Sequence, residues 1–146
     1  MQIQRAVRKD TEEIVHVEMH SGYKHPPNFD AFKNTIALFN DKKERIFIAK
    51  ENKKVVGYIS LRQDKNNVGD IGFLAILTEY QRKGIGAELM NHLETYARRN
   101  NYKELVLVVR DTNQKAIQMY QKHKFIIVGR KKSGDKIKLM MSKILG

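Results

Sequence analysis

Cysteine is missing from this chain. Its absence excludes disulfides, a thiolate metal site and a cysteine acyl-enzyme. No apolar run approaches the roughly eighteen residues of a membrane span, and no charged-then-apolar leader opens the sequence. A cytoplasmic protein with no membrane partner is therefore expected. Acidic residues are scarce, 16 against 28 Lys and Arg, for a net charge of +12. That excess is either a solvated lysine-rich surface or an attraction for nucleic acid, an acidic protein or peptide, or a phosphorylated cofactor. No interleaving of aromatic and basic residues marks a nucleic-acid face, so nucleic acid is not the expected partner. The five histidines form no tight ligand set. His16 and His20 stand four apart with no third ligand, and no metal is assigned. Internal repeats, linkers and low-complexity tails are also absent.

What is present fits one domain over residues 1–146 with a real core. Ile3 and Ala6-Val7 suggest a first strand, and Asp10 with Glu13 has the spacing of a capping box ahead of a helix through Ile14 and Val17. Ser21 to Asp30 breaks the pattern with Gly22 and Pro26-Pro27. Tyr23, His25 and Phe29 in this break are either anchoring aromatics of a solvent loop or part of an acceptor pocket. A second helix is predicted on Phe32, Ile36 and Phe39.

Arg45–Glu51 and Val55–Leu61 read as a hairpin about Asn52-Lys53. Asp70 to Leu77 is apolar enough to predict a central strand buried on both faces. Ile85, Leu89, Leu93 and Tyr96-Ala97 make an amphipathic helical stripe. Leu105–Val109 reads as a buried strand, and a helix from Asn113 presents Ala116, Ile117 and Tyr120. Phe125–Val128 and Ile137–Ile144 form a last hairpin about Ser133-Gly134-Asp135. This order predicts an α/β domain with a mixed sheet.

The junction from Leu74 to Ala87 carries the chemistry. An apolar strand runs into Gln81-Arg82-Lys83-Gly84-Ile85-Gly86-Ala87 and then a helix. The first N–H groups of a helix have no intrahelical partner, and its dipole adds positive charge there. Glycine lets the backbone approach an anion without a Cβ in the way. Arg82 and Lys83 add formal charge, so the turn reads as a pyrophosphate cradle. It lacks the third glycine of the dinucleotide fingerprint and is not a G-x-x-x-x-G-K-[ST] phosphate loop.

Taken whole, Gln81-x-x-Gly84-x-Gly86 resembles the Q/R-x-x-G-x-G/A signature of the GNAT N-acetyltransferases, and Leu74-Ala75-Ile76 and Tyr80 are similar to the family's neighbouring residues. Asn113-x-x-Ala116-Ile117-x-x-Tyr120 with Phe125 resembles the family's second motif, N-x-x-A-x-x-x-Y-x-x-x-G-F, except that Lys124 replaces its glycine. The resemblance covers about Val55 to Val128. It implies the acyl-CoA N-acyltransferase fold, a mixed sheet flanked by helices, with acetyl-CoA as cosubstrate. By that likeness Gln81 to Ala87 hold the pyrophosphate. Leu74, Ala75 and Ile76 line the pantetheine arm, and the Ile76 N–H polarises the acetyl carbonyl. Asn113 contacts the cofactor arm and Tyr120 protonates the leaving sulfur.

The same likeness leaves the general base open. One familiar glutamate position is Gly72. Leu107-Val108-Val109-Arg110-x-x-Asn113 is similar to the L-E-V-R-x-x-N of ribosomal-protein alanine acetyltransferases, whose glutamate is Val108 here. Asp70, acting through a water, is the expected base, with Glu79 and His25 behind it. The tyrosine pair by which those enzymes grip a peptide is replaced by Lys131-Lys132. The expected activity is transfer of acetyl to a primary amine, on a protein N-terminus, a lysine or a small molecule, by direct attack in a ternary complex. The alternative is a non-catalytic acetyl-CoA-sensing or nucleic-acid-associated binder on the same fold. The likeness also allows a homodimer.

Overall fold

The computed structural model describes residues 1–146. Seven strands are β1 (Gln2–Arg5), β2 (Glu44–Glu51), β3 (Lys54–Gln63), β4 (Val68–Ile76), β5 (Glu104–Arg110), β6 (Ile126–Ser133) and β7 (Lys136–Ile144). Four helices are α1 (Thr11–Met19), α2 (Ala31–Asn40), α3 (Ile85–Arg99) and α4 (Gln114–Lys122). One sheet holds all the strands in the order β1-β2-β3-β4-β5-β7-β6. Only β4 and β5 are parallel, joined through α3, so the sheet is mixed as the element order predicts.

β3 anchors the core. Val55 to Leu61 are buried without alternation, because α1 and α3 both pack on this strand. Ile85, Leu89, Leu93 and Ala97 of α3 are buried as the stripe requires. The hairpin turn Asn52-Lys53 has both residues at positive φ, which matches the right-handed twist of its strands.

Several local expectations are corrected. Asp10 precedes α1 but does not cap it. Its carboxylate accepts from the Val7 N–H at 2.8 Å, and Glu13 accepts from the Val55 N–H at 3.1 Å, tying α1 to β3. In α2, Ala31 and Thr35 face inward while Phe32 is exposed; the Thr35 hydroxyl donates to the Ala31 carbonyl at 2.9 Å and so enters the core satisfied. β4 is not buried on both faces, since Phe73, Leu74 and Ile76 are half-buried beside an open cleft. β5 alternates, with Leu105, Leu107 and Val109 buried and Val108 exposed, because helices cover one face of it only.

Lys124, standing where the family motif has glycine, adopts φ 73° between α4 and β6. A left-handed conformation costs an L-residue about 1–2 kcal/mol. Lys124→Gly is expected to raise stability by about 1 kcal/mol, and the Tm of a chain this size by roughly 3 °C. Thermal unfolding of the two proteins checks this, and an unchanged or lower Tm refutes it.

Candidate active site

Two strands part where the site begins. The β4–β5 ladder runs from Val68↔Glu104 to Ile71↔Leu107 and stops. β4 meanwhile stays paired to β3 through Leu74↔Ile59, Ala75↔Tyr58 and Ile76↔Gly57. The register slips at Ser60, which faces both Gly72 and Phe73; the Phe73 N–H donates to the Ser60 hydroxyl at 2.9 Å. This bulge bends β4 away from β5. Leu77 N–H donates to Val56 O at 2.9 Å, so by alternation Ala75 also turns its amide to β3. Leu74 and Ile76 then turn theirs into the gap that β5 has left. An extended ligand can add there as a strand.

Beyond β4 the chain passes through a short 3-10 turn, Thr78–Tyr80, and reaches α3. Arg82 (φ 63°) and Gly84 (φ 84°) are both left-handed. Gly84 is the N-cap of α3, has no side-chain cap, and faces open space where a Cβ would stand. The first intrahelical bond is Glu88 N–H to Gly84 O, leaving the amides of Ile85, Gly86 and Ala87 unclaimed by the helix. Lys83 lies 5.4 Å from the Tyr80 ring centre, and Arg82 and Lys83 are exposed beside this helix end. The arrangement suits a pyrophosphate, and the open β4 edge suits an extended arm running from it.

Gln81 is engaged within the protein. Its side-chain amide donates to Ser21 O at 2.7 Å and Ile76 O at 2.9 Å, and its N–H donates to Thr78 O at 3.3 Å. It clasps the turn to β4 and to the α1–α2 loop. Asn113 caps α4, its carbonyl oxygen accepting from the Ala116 N–H at 3.2 Å, and its amide nitrogen remains available.

A cavity of about 600 Å³ lies in the gap. Gly72 to Ala75 of β4, Val108 to Arg110 of β5, Asn113 with Ala116 and Tyr120 of α4, and Lys138 of β7 line it. Glu18 of α1 and Tyr23, His25 and Phe29 of the α1–α2 loop line it too. The loop aromatics therefore belong to the pocket. Tyr120 is buried, which pushes its hydroxyl up to about 12, so it carries its proton at neutral pH.

Asp70, the expected base, is not in this wall. It pairs across the sheet with Arg62, next to Glu44, at the end of β4 where the strands are still closed. Burial and the Asp64 carboxylate push its acid above the usual range, and Arg62 opposes them. Glu79 is likewise outside the lining. His16 and His20 stack at 4.1 Å, with His20 Nδ1 against the His16 carbonyl.

The sequence reading missed Glu18. It is 4% exposed, and its Oε1 accepts the Tyr58 hydroxyl. Its Oε2 lies 3.2 Å from His25 Nε2. The signal was there to find: Ile14, Val17 and Glu18 share one helical face, and a carboxylate there has no place unless something inside needs it.

Residues 8–125 match the sequence model of the Acetyltransferase (GNAT) family. The chain belongs to that family. It is 33% identical over 72 residues to streptothricin acetyltransferase A of Bacillus subtilis (strain 168), a match spanning 49% of this chain and 42% of that protein. It is 29% identical over 131 residues to an uncharacterized N-acetyltransferase of Archaeoglobus fulgidus, covering 82% of this chain and 89% of the relative. Among solved structures, an aminoglycoside 6'-N-acetyltransferase complexed with coenzyme A superposes with a TM-score of 0.85 at 16% identity, over 99% of this GNAT chain and 97% of the other. That likeness is one of fold. No helix of this GNAT protein is long and apolar enough to cross a membrane.

Proposed function

We propose that this GNAT protein is an acetyl-CoA-dependent N-acetyltransferase that delivers acetyl to a primary amine while both substrates are bound. The observation that carries the reading is the early end of the β4–β5 ladder, which opens a gap that the Leu74 and Ile76 amides face by alternation, beside a cavity lined by Gly72 to Ala75. In this reading Ile85, Gly86 and Ala87 donate to the pyrophosphate, with Arg82 and Lys83 adding charge. Leu74 and Ile76 hold the arm, and the Ile76 N–H faces the acyl oxygen. The Asn113 amide nitrogen meets the same arm. Acetyl-CoA supplies the activated acyl group. Tyr120 holds a proton at its hydroxyl for the departing sulfur.

The acceptor enters past Tyr23, His25 and Phe29. Streptothricin, an aminoglycoside, a polyamine and a peptide with N-terminal alanine sample the classes. Thiol release from acetyl-CoA is measured with each, beside calorimetric binding of acetyl-CoA. Binding with acceptor-dependent release is expected. Binding without release on any amine supports a sensor instead, and no binding overturns the reading of the cleft.

A further inference from the structure

We propose that His25, oriented by Glu18, takes the proton from the acceptor amine. The inference rests on the acetyltransferase reading and supplies the base that Gly72, Val108 and Asp70 do not. His25, Glu18 and Tyr120 all line the same cavity, and Glu18 is the only carboxylate in its lining. His25 Nε2 is enclosed and has no partner but Glu18 Oε2 at 3.2 Å, a contact off the line of a straight hydrogen bond. That leaves Nδ1 as the nitrogen free for the amine.

The ring is held in place. It stacks on Phe29 at 4.0 Å and 6°, and Tyr23 meets it edge-on at 4.9 Å. The other oxygen of Glu18 is held by the Tyr58 hydroxyl. Burial, then the Glu18 charge, push that hydroxyl well above its ordinary range, so Tyr58 stays a donor. A carboxylate buried with two such partners stabilises an imidazolium as it forms. The other charged or titratable groups facing the cavity are Tyr23 of the same loop, Tyr120 of α4, Arg110 of β5 and Lys138 of β7. The two cations oppose charge on the ring, which makes Glu18 the group that permits it.

The proton balance closes across the cavity. The amine lone pair forms the C–N bond, the C–S bond breaks, the amine proton goes to His25 Nδ1, and the sulfur takes a proton from Tyr120. The proton gained at His25 and the one lost at Tyr120 return to balance through solvent.

Nitrogen-15 spectra of histidine-labelled protein test the geometry without any acceptor. The expected result is His25 as the Nε2–H tautomer with Nδ1 bare, and loss of that tautomer preference in Glu18→Gln. An Nδ1–H tautomer, or a tautomer indifferent to Glu18→Gln, overturns the proposal. Kinetics add a second arm with any amine that the wild type acetylates. His25→Ala is expected to lose about 10²-fold or more in kcat with KM for acetyl-CoA unchanged, and added imidazole to restore part of it. Full kcat in His25→Ala, or in His25→Gln should the alanine variant unfold, overturns it. Failure of the wild type to bind acetyl-CoA by calorimetry overturns the acetyltransferase reading instead, so the two failures are told apart.

Discussion

Tyr120→Phe is expected to cut kcat by about 10²-fold or more and to leave acetyl-CoA affinity where it was, since a placed general acid contributes roughly 10²–10⁴. The substitution removes one oxygen and keeps the ring, which packs against Phe125 at a centroid distance of 5.8 Å. Its sign with pH also follows. Burial disfavours the phenolate, so the hydroxyl stays protonated until pH approaches about 12. An ordinary phenol is half-deprotonated near pH 10. The wild-type rate is therefore expected to hold through about pH 10, where an unshifted tyrosine acid would already have lost half its effect. Steady-state kinetics across that range, with calorimetry on both proteins, decide it. If Tyr120→Phe keeps its kcat, Tyr120 is a wall of the cavity and not its acid. If affinity falls as far as rate, its role is in binding.

How much of this was legible depends on whether the signal was local. The α3 stripe, the Asn52-Lys53 hairpin and the Gly84 turn are read from neighbours in sequence, and the structure has them where periodicity and turn chemistry put them. The Asn113 and Tyr120 motif likewise falls on one short helix, with both ends in the cavity wall. Which of the candidate bases lines the cleft was not legible, for two physical reasons. A single bulge opposite Ser60 changes which β4 side chains face the cleft, and nothing in the string Asp70-Ile71-Gly72-Phe73 announces it. Glu18 and His25 acquire meaning only when the loop after α1 folds back over β4, since Tyr58, the residue that fixes Glu18, is forty positions away. The burial of β4 and β5 was misjudged for a related reason. Apolar runs predict burial on both faces, but here one face of each is left partly open.

That open edge makes a sharper test than any side chain. Ile76→Pro deletes the N–H that alternation turns into the gap, yet removes no bond to β3. Its kcat is expected to fall by about 10²–10³, the usual loss on removing one donor from a developing oxyanion. The fold should survive. Ile76→Ala, which keeps the amide and trims the half-buried side chain, reports what the side chain alone contributes and should retain most of the rate. Ala75→Pro is the converse. Its N–H faces β3, so the same change one residue earlier breaks the ladder and leaves the Tyr58 carbonyl without its donor, at a cost of about 1–3 kcal/mol. Thermal unfolding should show Ala75→Pro well below Ile76→Pro, while activity per folded molecule shows the opposite order. Equal loss of stability in the two variants would mean that the β4 amides do not alternate between β3 and the gap. Full kcat in a folded Ile76→Pro would remove the Ile76 amide from the chemistry and leave the polarising donor to be sought at Leu74, the other amide on that edge.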